Sequence, residues 1–126
     1  MSLKQIANYI REDAQYKMLF SPFYKSGVVE GLLAKDFDIH FFNLSDINER
    51  FETNDETIFD AKSYDEFSPY GMTIYCDSPF NDEKFWNIMR KWSETNYVYI
   101  LANDAPLDFE CVVQTSKKCL FTLIEK

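Results

Sequence analysis

The chain has 126 residues, which is enough for one domain with a single core. It is too short for a catalytic domain together with a separate recognition domain. Its 21 aspartates and glutamates outnumber its 13 lysines and arginines, so the formal net charge is −8. A field of this sign repels nucleic-acid phosphates, so the composition disfavours DNA binding by the chain alone and makes a basic protein surface the easier partner.

The first half of the chain predicts alternating helices and strands. Ser2 can cap the first helix, in which apolar residues recur at helical spacing. The polar composition after residue 44 favours a loop. In order, we expect a helix over 3–15, a strand over 17–22, a helix over 26–34, a strand over 38–44, a loop over 45–56 and a brief strand over 57–61.

The second half predicts a longer helix between strands and then a hairpin. Asn81 is the expected cap of that helix, which would run through Ser93. The polar residues 115–118 separate two apolar runs, which is typical of a hairpin. The expected strands cover 72–76, 97–102, 109–114 and 119–124. This order of elements predicts a three-layer α/β domain with a largely parallel sheet and an antiparallel pair at its C-terminal end.

The most informative stretch is residues 73–80, where a short apolar run ends in a carboxylate, a proline and an aromatic ring. Asp77 would lie at the carboxyl end of a buried strand, the edge at which open α/β sheets bind ligands. An acidic acceptor, the rigid carbonyl of Pro79 and the ring of Phe80 would suit an extruded base held by its exocyclic amine. A strand that ends in aspartate and a turn is also ordinary architecture, so both interpretations stay open.

Four stretches in collinear order carry a resemblance to a known family. They are S-P-F-Y-K-S-G-V-V at 21–29, D-I-N at 46–48, Y-C-D-S-P-F at 75–80, and F-W at 85–86 followed by I-L-A-N-D-A-P-L-D-F-E-C-V at 100–112. They are similar to E-P-F-x-G-x-G-x-V, N-D-I-N, Y-C-D-P-P-Y, and F-W followed by S-E-Y-N-A-P-D-D-F-E-C-V. The chain thus resembles the Dam-type adenine-specific DNA methyltransferases, especially the compact forms of phages and large viruses.

The resemblance implies a minimal Rossmann-like methyltransferase core that takes S-adenosylmethionine. Phe23 and Gly27 would belong to the cofactor loop, and Asp46 would hold the cofactor ribose. In the family, the counterparts of Asp77 and Pro79 accept hydrogen bonds from the adenine amine, and the counterpart of Phe80 stacks on the flipped base. We expect the catalytic set Asp77, Pro79 and Phe80 and the cofactor set Phe23, Gly27 and Asp46.

The chain also departs from the family pattern. Ser21 stands where the family has glutamate, Lys25 replaces its first glycine, and Ser78 replaces the first proline of the catalytic motif. The G-G-K segment that opens the family and its target-recognition region are missing. We therefore expect one degenerate domain over 1–126, impaired in catalysis and retained as a structural or protein-binding component. The alternative is an active adenine methyltransferase that binds DNA through a partner.

Cysteine usage and apolar runs bear on location and metals. The cysteines are three in number and include no CxxC pair: Cys76, Cys111 and Cys119. We therefore expect neither a zinc site nor a disulfide framework, and we expect buried free thiols. The chain shows no signal-peptide pattern and no run long enough to span a membrane. We expect an intracellular protein, or a component of a virus or phage particle if the resemblance extends to its origin.

Overall fold

The computed structural model describes residues 3–22, 27–41, 68–78 and 80–124. The predicted loop over 45–56 and the brief strand over 57–61 lie outside these residues, as do the site candidates Phe23, Asp46 and Pro79. The helices are α1 (Leu3–Asp13), α2 (Val28–Leu33) and α3 (Glu83–Trp92). The strands are β1 (Met18–Ser21), β2 (Asp38–Phe41), β3 (Thr73–Asp77), β4 (Tyr97–Ala102), β5 (Phe109–Gln114) and β6 (Cys119–Leu123).

The described strands form one mixed six-stranded sheet in the order β2-β1-β3-β4-β6-β5. Strands β1 to β4 pair in parallel, and β6 runs antiparallel to both β4 and β5. The predicted α/β class, the mostly parallel sheet and the C-terminal antiparallel hairpin are confirmed. Because β2 and β3 lie on opposite sides of β1, the strand order reverses there, and the carboxyl ends of β1 and β3 flank a topological switch point.

Two apolar clusters cover the two faces of the sheet. On one face Ile74 and Cys76 of β3 pack in a cluster with Phe85 and Met89 of α3. On the other face Tyr75 joins a cluster that includes the buried sides of α1 and α2. A central strand buried on both faces explains the continuous apolar run that precedes Asp77.

The start of α3 differs from the prediction. Asp82, not Asn81, is the capping residue: its Oδ1 accepts a hydrogen bond from the backbone N–H of Phe85 at 2.8 Å. Asn81 instead uses its Oδ1 to accept a hydrogen bond from the indole Nε1 of Trp86, at 2.9 Å. Both side chains are good caps by type, but only Asp82 has the extended backbone next to the first helical turn that a cap requires.

The three cysteines differ in burial. Cys76 is buried within the core, Cys119 is half-buried, and Cys111 is exposed on β5. All three are free thiols, so the expectation of buried thiols holds for Cys76 and is wrong for Cys111.

Candidate functional site

The switch point brings together three residues that the sequence singled out. Ser21 ends β1, Asp77 ends β3, and Gly27 directly precedes α2. Gly27 has a φ of 74°, in the left-handed region that glycine adopts without the steric cost of a Cβ atom. The glycine expected in the cofactor loop therefore forms the turn that leads into α2.

A buried pair joins β1 to α2 beside this turn. The hydroxyl of Ser21 donates a hydrogen bond to Oε2 of Glu30 at 2.6 Å, and both residues are almost completely buried. Burial raises the pKa of the Glu30 carboxyl from its ordinary value, although the hydrogen bond from Ser21 acts in the opposite direction. Ser21, the residue that stands where the family has glutamate, is thus bonded to a buried glutamate of α2.

Sequence reasoning did not single out Glu30. A signal was available, because Glu30 lies next to Val29 and three residues before Leu33, the spacing of one helical face. An acidic residue on the apolar side of a helix needs a polar partner, and Ser21 at the end of the preceding strand is one of the candidates close by in the chain.

A small cavity lies among the described residues at this edge of the sheet. It has a volume of about 20 Å³, and its lining includes Leu3 of α1, Glu30, Tyr75 and Asp77. Pockets that bind small molecules have volumes of roughly 300 to 1,000 Å³. The cavity that these described residues form is therefore much smaller than a pocket for S-adenosylmethionine.

Asp77 forms an ion pair with the hairpin turn. The ammonium group of Lys118 lies 3.3 Å from Oδ1 of Asp77, and the carboxylate side chain is 19% exposed. The turn is held in place because the N–H of Lys118 donates to Oγ1 of Thr115 at 3.0 Å and the N–H of Thr115 donates to the carbonyl of Lys118 at 2.8 Å. A lysine ammonium thus lies beside the carboxylate that the resemblance predicts to be catalytic.

Ser78 and Phe80 contact each other across the position of Pro79. The hydroxyl of Ser78 donates to the carbonyl of Phe80 and accepts a hydrogen bond from the N–H of Phe80 at 3.2 Å. The ring of Phe80 is 37% exposed, and its centroid lies 6.3 Å from that of Phe85 in the core. Ser78 therefore builds a local turn without the fixed φ of the proline that the family has there.

The switch point is an electronegative environment. Burial raises the pKa of the Tyr75 hydroxyl, and the charges of Glu30 and Asp77 raise it further. The same two carboxylates add to the effect of burial on the thiol of Cys76. Glu30 and Asp77 therefore both act on the residues at the carboxyl end of β3.

Comparisons with known proteins find no relative: no family model, curated protein or solved structure matches the chain. In the described ranges, no helix has the length and apolar character to cross a membrane. Within those same ranges, no three His, Cys, Asp or Glu side chains come together as metal ligands.

Proposed function

We propose that this chain is a degenerate relative of the Dam-type adenine methyltransferases that has lost methyl transfer and acts by binding a protein partner. The relationship is supported by the sheet, in which a parallel array with a switch point at β1 is followed by an antiparallel C-terminal hairpin. It is supported further by the placement of Gly27 and Asp77 at that switch point, in the positions that the family motifs require.

The observation that best supports a loss of catalysis is the small size of the cavity that the described residues form at the switch point. The Ser21–Glu30 pair and Leu3 leave a cavity of about 20 Å³ at the edge where the cofactor would have to bind. Transfer of a methyl group requires the cofactor and the target amine to be held in contact with correct aim. A chain that cannot hold the cofactor at this edge would leave Asp77 without a methyl donor.

The ion pair at Asp77 adds to this conclusion. In the family mechanism the aspartate accepts hydrogen bonds from the target amine, whereas here its carboxylate already contacts the ammonium of Lys118. A base that enters would have to share the Asp77 carboxylate with this ammonium group, which leaves fewer acceptor sites for its amine. The acidic net charge of −8 also leaves the chain without the electrostatic grip on DNA that such an enzyme needs.

Calorimetric titration with S-adenosylmethionine and with its demethylated product tests the proposal. We expect no heat of binding at millimolar cofactor and no methyl transfer to adenine-containing DNA. Micromolar binding that Asp46→Ala weakens, while the exposed α1 control Glu12→Ala leaves it unchanged, would contradict the closed pocket. Methyl transfer by the purified chain would refute the proposal as a whole.

The second candidate function is an active methyltransferase that relies on a DNA-binding partner. The left-handed conformation of Gly27 favours it, because a functional cofactor loop needs that turn. In this case Asp77→Ala would abolish methyl transfer by the complex without unfolding the chain. Full activity of the Asp77→Ala variant would rule out Asp77 as the base-binding acceptor.

A further inference from the structure

A second and much larger cavity lies at the opposite edge of the sheet, at the amino ends of β1 and β4. It has a volume of about 750 Å³, in the range of pockets that bind ligands. Four tyrosines, Tyr9, Tyr16, Tyr97 and Tyr99, contribute to its lining, and we name it the tyrosine groove. Tyr9 and Tyr16 are far from Tyr97 and Tyr99 in the sequence, and the fold brings the four together.

The walls of the tyrosine groove are held by specific contacts. The rings of Tyr16 and Tyr97 meet edge to face with centroids 5.3 Å apart, and those of Tyr9 and Tyr99 do so at 6.2 Å. The backbone carbonyl of Tyr16 accepts a hydrogen bond from Oγ1 of Thr73 at 2.7 Å, which fixes the segment before β1. Rings positioned in advance lower the ordering cost of binding a ligand.

The groove is acidic as well as aromatic. Asp13, Glu94 and Glu110 lie on three different parts of the fold and all line it, and its described lining contains no lysine or arginine. The hydroxyl of Tyr99 donates to Oδ2 of Asp13 at 2.6 Å. Burial, followed by the charges of Asp13 and Glu110, raises the pKa of Tyr9, as expected where negative potential accumulates.

Aromatic rings and carboxylates together define the chemistry of the ligand. Both attract cations, the rings through their π-electrons and the carboxylates through charge-assisted hydrogen bonds. Tyr16 offers the most accessible ring, at 41% exposed, whereas Tyr99 is almost completely buried. An anionic ligand would meet three carboxylates and no lysine or arginine in the described lining. The guanidinium of arginine and the ammonium of lysine satisfy both kinds of group at once.

We propose that the tyrosine groove binds a peptide segment of a partner protein that carries several lysines or arginines. The three carboxylates belong to the end of α1, the turn before β4, and β5, so a peptide that pairs with all of them carries several cations. The net charge of −8 steers such a partner toward the chain. This binding site goes beyond the function proposed above and does not depend on the state of the switch point.

Calorimetry with a synthetic decapeptide of alternating arginine and glycine tests the proposal at physiological ionic strength. We expect saturable binding of one peptide per chain, and none of a matched decapeptide of alternating glutamate and glycine. Glu110→Gln should weaken binding about two- to five-fold, the effect of one exposed charge pair. Tyr16→Leu should weaken it by a similar factor of about two to five without any change of charge.

The matched control is Glu12→Gln, which removes the same charge from an exposed position of α1 that does not line the groove. It should leave the affinity unchanged, and amide shifts in NMR spectra should concentrate at the groove. Equal weakening by Glu12→Gln, shifts centred elsewhere, or an absence of binding would overturn the proposal. Binding of spermidine as tight as that of the peptide would also overturn it, in favour of a small-polycation site.

Discussion

Lys118 and Asp77, 41 positions apart in the chain, place an ammonium nitrogen 3.3 Å from a carboxylate oxygen. The contact ties the turn of the C-terminal hairpin to the carboxyl end of β3, the strand on which the catalytic motif was expected. The antiparallel insertion of β6 beside β4 makes this contact possible, since it brings the start of β6 to the same edge of the sheet as Asp77. The hairpin therefore contributes a residue to the candidate site as well as strands to the sheet.

Replacing Lys118 tests how much this contact stabilises the fold. Both side chains are partly exposed, at 34% and 19%, so the pair is screened by water. We expect Lys118→Met to lower the free energy of unfolding by less than about 1 kcal/mol, measured by urea denaturation. Lys117→Met, at the exposed neighbouring position, is the matched control and should have a smaller effect. A loss of about 3 kcal/mol or more would instead indicate that Asp77 behaves as a buried charge that requires its partner.

The sheet could be predicted from the sequence because its strands are short apolar runs with polar ends. Residues 73–77 and 97–102 are such runs, and the polar residues 115–118 mark the hairpin turn. The cap of α3 was misplaced by one position because Asn81 and Asp82 are both capping types. The choice between them depends on backbone dihedral angles that composition does not encode.

The side-chain contacts of the candidate site were harder to predict than the places of its residues in the fold. The motifs placed Asp77 and Gly27 correctly at the edge of the sheet, since local sequence determines where a strand or a helix ends. They did not reveal Glu30 or Lys118, because a serine–glutamate hydrogen bond and a lysine–aspartate pair depend on tertiary packing. Phe23, Asp46 and Pro79 lie outside the described residues, and their roles remain predictions.

The buried carboxyl of Glu30 makes stability depend on pH in a definite direction. Its pKa in the folded protein is raised above the ordinary value of 4.5, so the folded state binds this proton more tightly than the unfolded state does. The contribution of Glu30 to stability therefore falls as the pH rises from about 4.5 toward the folded pKa. A glutamine at position 30 does not titrate, so a Glu30→Gln variant does not lose stability in this way as the pH rises.

We accordingly expect the free energy of unfolding of the Glu30→Gln variant, relative to that of the unmodified chain, to be higher at neutral pH than near pH 4. Urea denaturation of both proteins at the two pH values measures this difference. Glu12→Gln, on the exposed side of α1, is the control for removal of a carboxylate in general. A stability difference that is the same at both pH values would show that Glu30 does not titrate differently in the folded and unfolded states.

Two substitutions at Asp82 distinguish the effect of its capping hydrogen bond on α3 from the effect of its charge. Asp82→Ala removes the hydrogen bond to the N–H of Phe85 and should lower the free energy of unfolding by about 1 kcal/mol. Asp82→Asn removes the same charge but retains a side-chain oxygen that can accept this hydrogen bond. The asparagine variant should therefore be more stable than the alanine variant in thermal or urea denaturation. Equal stability of the two variants would mean that the charge of Asp82, and not its capping hydrogen bond, stabilises α3.

The cysteines should differ sharply in reactivity toward iodoacetamide, because the thiolate is the reactive form and must be accessible. Cys76 lies in the core, and burial raises its pKa well above the ordinary value, so it should be alkylated only after denaturation. Cys111 is exposed, but partial loss of hydration, followed by hydrogen bonding with the thiol of Cys119, raises the pKa of Cys111 to about 11. Its alkylation in the native protein should be slow at neutral pH and accelerate as the pH approaches that value.

Mass spectrometry of peptides after timed alkylation measures each site separately. Cys119→Ala removes the neighbouring thiol that raises the pKa of Cys111, so it should speed the alkylation of Cys111 at a fixed pH below about 11. The same substitution should leave Cys76 protected, because Cys76 is enclosed between the sheet and α3. Native-state labelling of Cys76 as fast as that of Cys111 would contradict the packing of β3 against α3. An unchanged rate at Cys111 in the Cys119→Ala variant would show that its reactivity is set by hydration and not by its neighbour.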